Sequence, residues 1–486
     1  MRPLECVLLF LNLLCVIWLI FPWRNVHKVT FNFLAVTSMA ALIAHFMAEG
    51  YRWHMLPAYS LVIAQVIFTI NNRFASSHRS NPYAMSRGIT VAFGTLYLTI
   101  AVALPAYLFP VFKFEKPTGP YAVGTASRYW IDFSRREDHS RGTLNPRELM
   151  VQIWYPAEHS RGLLTAPYHP NIDYLTEELA RVFGIPRLML SNFHYVMSNS
   201  LIGAKISTSR QKFPILFFSH AFNGHRFQNT FQVEELASHG YVVVGIDHSY
   251  VSVGTVFPDG RLVPAHRLDH FTEDGLRPFL NEWVADARFV LDQLSKINVV
   301  NPKDMFTNRL DLTKVGYFGH SFGGAAAAQT LSIDSRFKAG ISMDGYPFGN
   351  AHSQGVKQPF LQLQSDRSLR EVSDEELAFM NMTRQELQIS VAEWNRRIQR
   401  ICSNGYIMRL KRTGHYDFSD CPLWTPLASW LGFTGKISPK RVHSIINVYT
   451  LAFFDKYLQG LDSSLLHGSS PEYPEVECLH TPNMLQ

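Results

Sequence analysis

The sequence predicts two parts: an all-α module of about four membrane-spanning helices, then an α/β domain with a mostly parallel sheet covered by helices on both faces. Three observations carry this. The first 112 residues hold long apolar runs with their few charges confined to the gaps. Beyond them, short apolar runs alternate with amphipathic helical patterns, as in a sheet buried on both sides. One such run ends in Gly319-His320-Ser321-Phe322-Gly323, directly before an alanine-rich helical stretch.

The chain has 486 residues, room for two or three units at roughly 150 residues each. Only 17% are charged, against 47% hydrophobic, which excludes a disordered chain. The formal net charge of +6 first suggests an anionic partner. Up to Phe112, however, seven basic residues face two acidic ones, and the other 374 residues carry 38 basic and 37 acidic side chains. A nearly neutral main domain takes away most of the support for a nucleic-acid partner, and none is expected; the excess charge belongs to the loops of the first module.

Residues 6–23, 29–47 and 88–112 form runs free of Lys, Arg, Asp and Glu, each long enough to cross about 30 Å of hydrocarbon at 1.5 Å per residue. Residues 53–70 form a weaker fourth run, firmly apolar only from Pro57. The first run is followed by Pro22-Trp23-Arg24-Asn25 and not by small residues, so it reads as a retained anchor and not as a cleaved signal peptide. Arg24, Lys28, Arg73, Arg79 and Arg87 fill the gaps on one side; Arg2, Arg52, Lys113 and Lys116 lie on the other. That margin of five to four puts the α/β domain outside the cytoplasm. Residues 1–112 are thus the membrane module, 113–125, with two prolines and two glycines, a linker, and 126–486 the catalytic domain.

In that domain strands are expected at 149–155, 213–219, 241–247, 314–320, 338–344, 360–364 and 406–411, with helices at 228–238, 278–294, 323–332 and 438–458. Residues 373–400 form a charged, helix-favouring insertion. No repeat interrupts the pattern.

A Gly-x-Ser-x-Gly motif between a strand and a helix is the nucleophile elbow of an α/β-hydrolase. Its glycines permit a turn tight enough to hold the Ser321 hydroxyl over the sheet edge, near a helix N-terminus that favours negative charge. A serine hydroxyl needs a base to take its proton and an acid to orient that base. In this fold the chain order is Ser, acid, His. Beyond Asp344 the histidines are His352, His415, His443, His467 and His480, and only His415 lies in a loop directly after the final expected parallel strand. Asp344 and Asp366 each follow a strand and both suit the acid, whereas Asp417 reads as a loop residue. The oxyanion hole draws on the N–H after the nucleophile, Phe322, and on the loop after residues 213–219, where Phe222 is the candidate. His220, His225 and His248 match no metal-ligand spacing, so no metal or organic cofactor is expected.

Phe218-Ser219-His220-Ala221-Phe222, Ala237-Ser238-His239-Gly240-Tyr241 and Gly319-His320-Ser321-Phe322-Gly323-Gly324, with Gln329 to Ser332, Arg336-Phe337, Gly340-Ile341 and Asp344, resemble the platelet-activating factor acetylhydrolase family of serine esterases. Pro117 to Thr125 is similar to that family's entry segment, and the likeness extends roughly to Leu458. The resemblance implies a calcium-independent hydrolase of short or oxidised phospholipid acyl chains and of simple esters. It implies Ser321 as nucleophile, Asp344 and not Asp366 as acid, His415 as base, and Phe222 and Phe322 as oxyanion donors. Ala221 stands where the family usually has Gly, and the membrane module is foreign to the family's secreted mammalian enzymes. The expected function is therefore a membrane-anchored serine ester hydrolase acting on a lipid or small-molecule ester. A general carboxylesterase or polyester hydrolase, or a non-catalytic membrane receptor, is the alternative.

Cys6 and Cys15 fall in the first apolar run; Cys402 and Cys421 bracket the His415 loop and could form a disulfide, leaving Cys478 unpaired. Asn381-Met382-Thr383 is a glycosylation acceptor if the chain enters a eukaryotic secretory route.

Overall fold

The computed structural model describes residues 1–20, 27–74, 87–137, 145–160, 162–266, 272–300, 304–366, 372–379 and 382–482. Asn381 and the gap residues Arg24 and Arg79 lie outside them. The chain divides into two compact units: Met1–Phe112 with Pro186–Val196 and Trp424–Leu427, and the remainder.

The first unit holds four helices, α1 (Pro3–Ile20), α2 (His27–Ala48), α3 (Leu56–Phe74) and α4 (Arg87–Ala103). Its polarity is reversed relative to a water-soluble bundle. Val29, Phe33, Val36 and Met47 of α2 point outward, while Glu5, Asn12, His45, Arg52 and Gln65 are buried. The inner groups pair with one another: Gln65 donates to Asn12 at 2.8 Å, Asn12 donates to the Ala58 carbonyl at 3.2 Å, and Arg52 pairs with Glu5 at 3.0 Å. Of the four expected spans, Val29–Ala48 and Trp53–Asn71 are long and apolar enough to cross a bilayer; Pro3–Trp18 and Ala92–Leu108 are apolar but shorter. The weakest run in the sequence is thus one of the two that reach the length. After α4, residues Leu104–Leu108 widen into a π-turn around Pro105, whose missing N–H interrupts the helical ladder.

The second unit is built on an eleven-stranded sheet. In chain order its elements are β1 (Ala122–Arg136), β2 (Pro146–Ala157), β3 (Thr165–Pro167), α5 (Ile172–Phe183), β4 (Met197–Ile202), β5 (Phe213–Ser219), α6 (Thr230–Ser238), β6 (Val242–Asp247), β7 (Gly254–Val256), β8 (Leu262–Pro264), α7 (Glu273–Val300), β9 (Leu310–His320), α8 (Phe322–Ile333), β10 (Phe337–Met343), α9 (Ala351–Gln354), β11 (Phe360–Ser365), α10 (Asp374–Phe379), α11 (Arg384–Ile401), β12 (Tyr406–Leu410), α12 (Cys421–Trp424), α13 (Pro439–Phe454) and β13 (Val476–His480). The sheet order is β13-β12-β11-β10-β9-β5-β6-β2-β1-β4-β3, with β7 and β8 as a separate hairpin. From β6 through β5, β9, β10 and β11 to β12 every neighbouring pair is parallel. The antiparallel pairs β1–β2, β2–β6, β12–β13 and β3–β4 lie toward the two edges.

All seven expected strands form, five of them within one residue at each end and the other two, β2 and β9, starting earlier than read. Their interior is apolar because both faces are covered: every residue of β5 and β6 is buried. The long strand β1 was not expected. It begins at Ala122, inside the segment read as linker, and most of its residues are only half-buried: β4 and β3 lie beyond it, but β4 pairs with it only at Gly124 and Thr125. The five cysteines are free thiols, and the Cys402–Cys421 disulfide is not formed. Both are buried, and burial pushes their thiols up, away from the reactive thiolate, helped at Cys421 by the nearby Asp417 and Asp420 carboxylates.

Candidate active site

The parallel strands deliver their C-terminal ends to one edge, where loops of this architecture gather functional groups. β9 ends at His320, α8 starts at Phe322, and Ser321 between them has φ 55° and ψ −119°. A non-glycine residue in such a conformation stores about 1–3 kcal/mol and persists because its neighbours over-determine it. The glycines explain how. A Cβ on Gly323 would lie 2.1 Å from the Ser219 carbonyl oxygen, and one on Gly319 would lie 2.3 Å from the Gly323 backbone. The Ser321 N–H is anchored to the Met343 carbonyl at 2.8 Å, which ties the elbow to the end of β10.

Asp344 follows β10 and His415 follows β12. His415 Nδ1 lies 2.7 Å from Asp344 Oδ2, and Asp344 Oδ1 accepts the Ser365 N–H at 2.8 Å. Burial would raise the Asp344 carboxyl, but the hydrogen bond and charge of His415, with the Ser365 N–H, outweigh it and hold it below its ordinary range. The His415 ring packs against that of His320, next to Ser321, at 4.6 Å between centroids. Asp366 is turned elsewhere: its Oδ2 accepts the Arg412 N–H at 2.9 Å. Asp417 closes its own loop by accepting the Gly414 and Gly435 N–H groups, and burial pushes its carboxyl up to about 6.

Phe222 lies in the turn after β5 and Phe322 leads α8; their rings meet edge to face at 5.6 Å. The Ala221 carbonyl accepts the Gly224 N–H at 2.8 Å and His220 Nδ1–H at 2.7 Å. Two donors on that carbonyl fix the Ala221–Phe222 peptide plane.

Sequence reasoning missed a second, fully buried Ser-His-Asp array. Ser219 Oγ lies 2.8 Å from His248 Nε2, and His248 Nδ1 lies 2.9 Å from Asp286 Oδ2, which also pairs with Arg147 at 2.7 Å. Its members are spread over β5, the turn after β6 and α7, so no spacing announces it. Having no exposed surface, it ties these elements together and offers no nucleophile. His225 is buried against the rings of Tyr168 and His169, apart from this array. A cavity of about 250 Å³ lined by Trp154, Tyr168, Phe227 and Gln152, among others, includes none of Ser321, Asp344 and His415.

His443, which the sequence put inside a helix, lies in α13 and holds the loop after His415: its Nε2–H donates to the Ser419 carbonyl at 2.9 Å and its ring stacks on Phe231. Burial lowers it from 6.5 to about 4. A histidine depressed in this way stabilises the fold fully above its unfolded value and less as pH falls through the folded one. The stability gap between wild type and His443→Gln is therefore expected to be widest at pH 7 and to narrow toward pH 4. Denaturant melts at several pH values measure it, and a gap independent of pH would contradict the assignment.

The sheet order and the elbow between β9 and α8 define the class: this is an α/β-hydrolase. A solved structure of a ferulic acid esterase from Streptomyces cinnamoneus matches with a TM-score of 0.59 and 27% identity, covering 76% of this chain and all of the other. The family model described as platelet-activating factor acetylhydrolase, isoform II, matches residues 106–258 and 295–468, and the chain belongs to that family. It is 26% identical over 401 residues to an Arthroderma benhamiae protein named "Probable 1-alkyl-2-acetylglycerophosphocholine esterase", covering 78% of this chain and 96% of that protein. It is also 26% identical to a platelet-activating factor acetylhydrolase of Cavia porcellus, covering 72% and 78%. As a member of this family the chain is a carboxylic ester hydrolase.

Proposed function

We propose that this chain is a membrane-anchored serine esterase that removes acetyl, other short or oxidised acyl chains from phospholipids through an acyl-enzyme. The observation that carries the reading is the 2.7 Å bond between His415 and Asp344 at the same sheet edge as the strained Ser321. Ser321 Oγ attacks the ester carbonyl while His415 Nε2 takes its proton, and Asp344 holds the tautomer that leaves Nε2 free to do so. The Phe222 and Phe322 N–H groups receive the oxyanion. His415 then protonates the leaving alcohol, activates a water molecule, and the acid is released. None of these steps calls on a metal or organic cofactor. The names of the two curated relatives support an acetylated phospholipid as substrate.

The membrane reading rests on α2 and α3, which reach spanning length, and on the apolar exterior and hydrogen-bonded polar interior of the first unit. The two shorter apolar helices complete a multi-pass anchor in this reading, and the distribution of basic residues favours an extracytoplasmic catalytic domain. Such an anchor would raise the local concentration of lipid esters.

A hydrolysis panel across acyl lengths and head groups tests the substrate. Turnover of acetylated and short-chain phospholipids is expected, lost in Ser321→Ala. Hydrolysis of simple esters alone would favour the general esterase, a reading that the ferulic acid esterase neighbour keeps in view. The insertion should tune chain preference. Trp394 of α11 packs on Tyr346, two residues past Asp344, at 4.6 Å, and Tyr346 and Phe348 continue a row of rings to Phe322. Trp394→Ala is expected to lower kcat/KM for longer acyl chains by about three- to tenfold, given the ~1 kcal/mol of an aromatic contact, and to leave acetyl esters unchanged.

A further inference from the structure

Two loops must be in register for the proposed chemistry, one carrying the Phe222 N–H and the other carrying His415. Two side chains in series, Gln228 and His320, join them. Gln228 is buried; its Oε1 accepts the Ala221 N–H at 3.0 Å and its Nε2–H donates to His320 Nδ1 at 2.7 Å. His320 Nε2–H in turn donates to the His415 carbonyl at 2.9 Å. Every direction in this chain is forced. A backbone N–H can only donate to Oε1, so the amide end of Gln228 faces His320; a carbonyl can only accept, so His320 carries its proton on Nε2 and offers Nδ1 as acceptor. Burial depresses His320 to about 3, so this single neutral tautomer persists across the working range.

The approach is built in. A Cβ on Gly224 would lie 2.0 Å from Gln228 Oε1, so residue 224 leaves the space that Gln228 fills. Neighbouring residues make the same connection. Asn229 donates to the Phe418 carbonyl at 2.8 Å, and the Asp420 carboxylate accepts the Thr230 and Phe231 N–H groups at the start of α6.

We infer that Gln228 is a positioning residue that, through His320, sets the oxyanion loop and the loop carrying the base as one unit. The inference rests on the serine-esterase reading above. In this reading Gln228 and His320 act through their neighbours: one holds the backbone before the Phe222 N–H, the other the backbone from which the His415 ring projects.

The test is Gln228→Met in the full chain, which preserves volume and removes the bonds to Ala221 and His320 together with a longer one, 3.3 Å, to Asn229 Oδ1. kcat is expected to fall by about 10- to 100-fold, less than the roughly 100- to 1,000-fold of losing an oxyanion donor outright. KM should stay within about threefold, and affinity for a trifluoromethyl ketone, which mimics the tetrahedral intermediate, should fall in proportion to kcat/KM. A folded variant with kcat within twofold of wild type, or a loss wholly in KM, would overturn the inference. Should Gln228→Met not fold, Gln228→Glu decides through its pH profile: the ionised carboxylate still accepts from Ala221 but cannot donate to Nδ1, whereas the protonated acid can do both, so kcat is expected to fall as pH rises through the ionisation of Glu and a profile identical to wild type overturns the role. Ser321→Ala in parallel separates the two ideas. Hydrolysis that survives Ser321→Ala sinks the serine mechanism itself, whereas a dead Ser321→Ala with indifferent Gln228 variants sinks only the positioning role.

Discussion

Ser321→Ala is expected to lower kcat by about four to six orders of magnitude and to abolish labelling by a fluorophosphonate probe, with the fold unchanged. The side chain being removed is small and its backbone is held independently, by the Ser321 N–H bond to Met343 and by the tight packing of Gly319 and Gly323. The loss would therefore be chemical. Alanine also suits a position at φ 55° no better than serine does, so the elbow strain is common to both proteins. A gel of labelled protein beside a circular dichroism melt reads both halves of the expectation. Persistent labelling of the folded variant would assign the nucleophile to another residue, and absence of labelling in the wild type would leave a binding domain without catalysis.

Asp344→Asn is expected to lower kcat by about four orders of magnitude, because an amide next to Nδ1 no longer enforces the tautomer that leaves Nε2 free as the base. Asp366→Asn is the control that makes this informative. Both residues follow parallel strands and both suited the role in sequence, but Asp366 is bonded to the Arg412 backbone, while Asp344 faces His415. Activity within a few-fold of wild type is expected for Asp366→Asn. Asp344 also accepts the Ser365 N–H; an asparagine oxygen still can, but without the charge, so the replacement should cost about 1 kcal/mol or less in stability, readable as a modest drop in melting temperature. The reverse ranking of the two variants would transfer the acid to Asp366.

Most of the site was legible because its signals are local. Gly319-His320-Ser321-Phe322-Gly323 announces an elbow since only glycine tolerates the backbone approaches at Gly319 and Gly323, and strands such as Phe213–Ser219 read as apolar because both sheet faces are covered. The misses are of another kind. β1 was hidden because its outer neighbour β4 pairs with only two of its residues, so the strand is mostly half-buried and lacks the continuous apolar run. The chain Ala221–Gln228–His320–His415 gives no signal in sequence, because Gln228 and His320 are 92 residues apart and glutamine is ordinarily a surface residue.

The sequence by itself determined the nucleophile elbow, the order Ser321, acid, His415, the alternation that yields a parallel sheet, and the separation of a basic, apolar first module from a neutral main domain. These follow from period, spacing and the conformational needs of glycine, all properties of neighbouring residues. Spacing left two aspartates equivalent; the family resemblance implied Asp344, and the tertiary structure is what puts Asp344 against His415, while it alone decided which two of four apolar runs attain spanning length as helices and that two cysteines around the base loop stay apart. Each of these turns on where a strand end or a helix end lies relative to residues far away in the chain. Hydrogen bonding is directional and fails beyond about 3.5 Å, so a partner is chosen by position in space, and that position is set by the packing of the whole sheet.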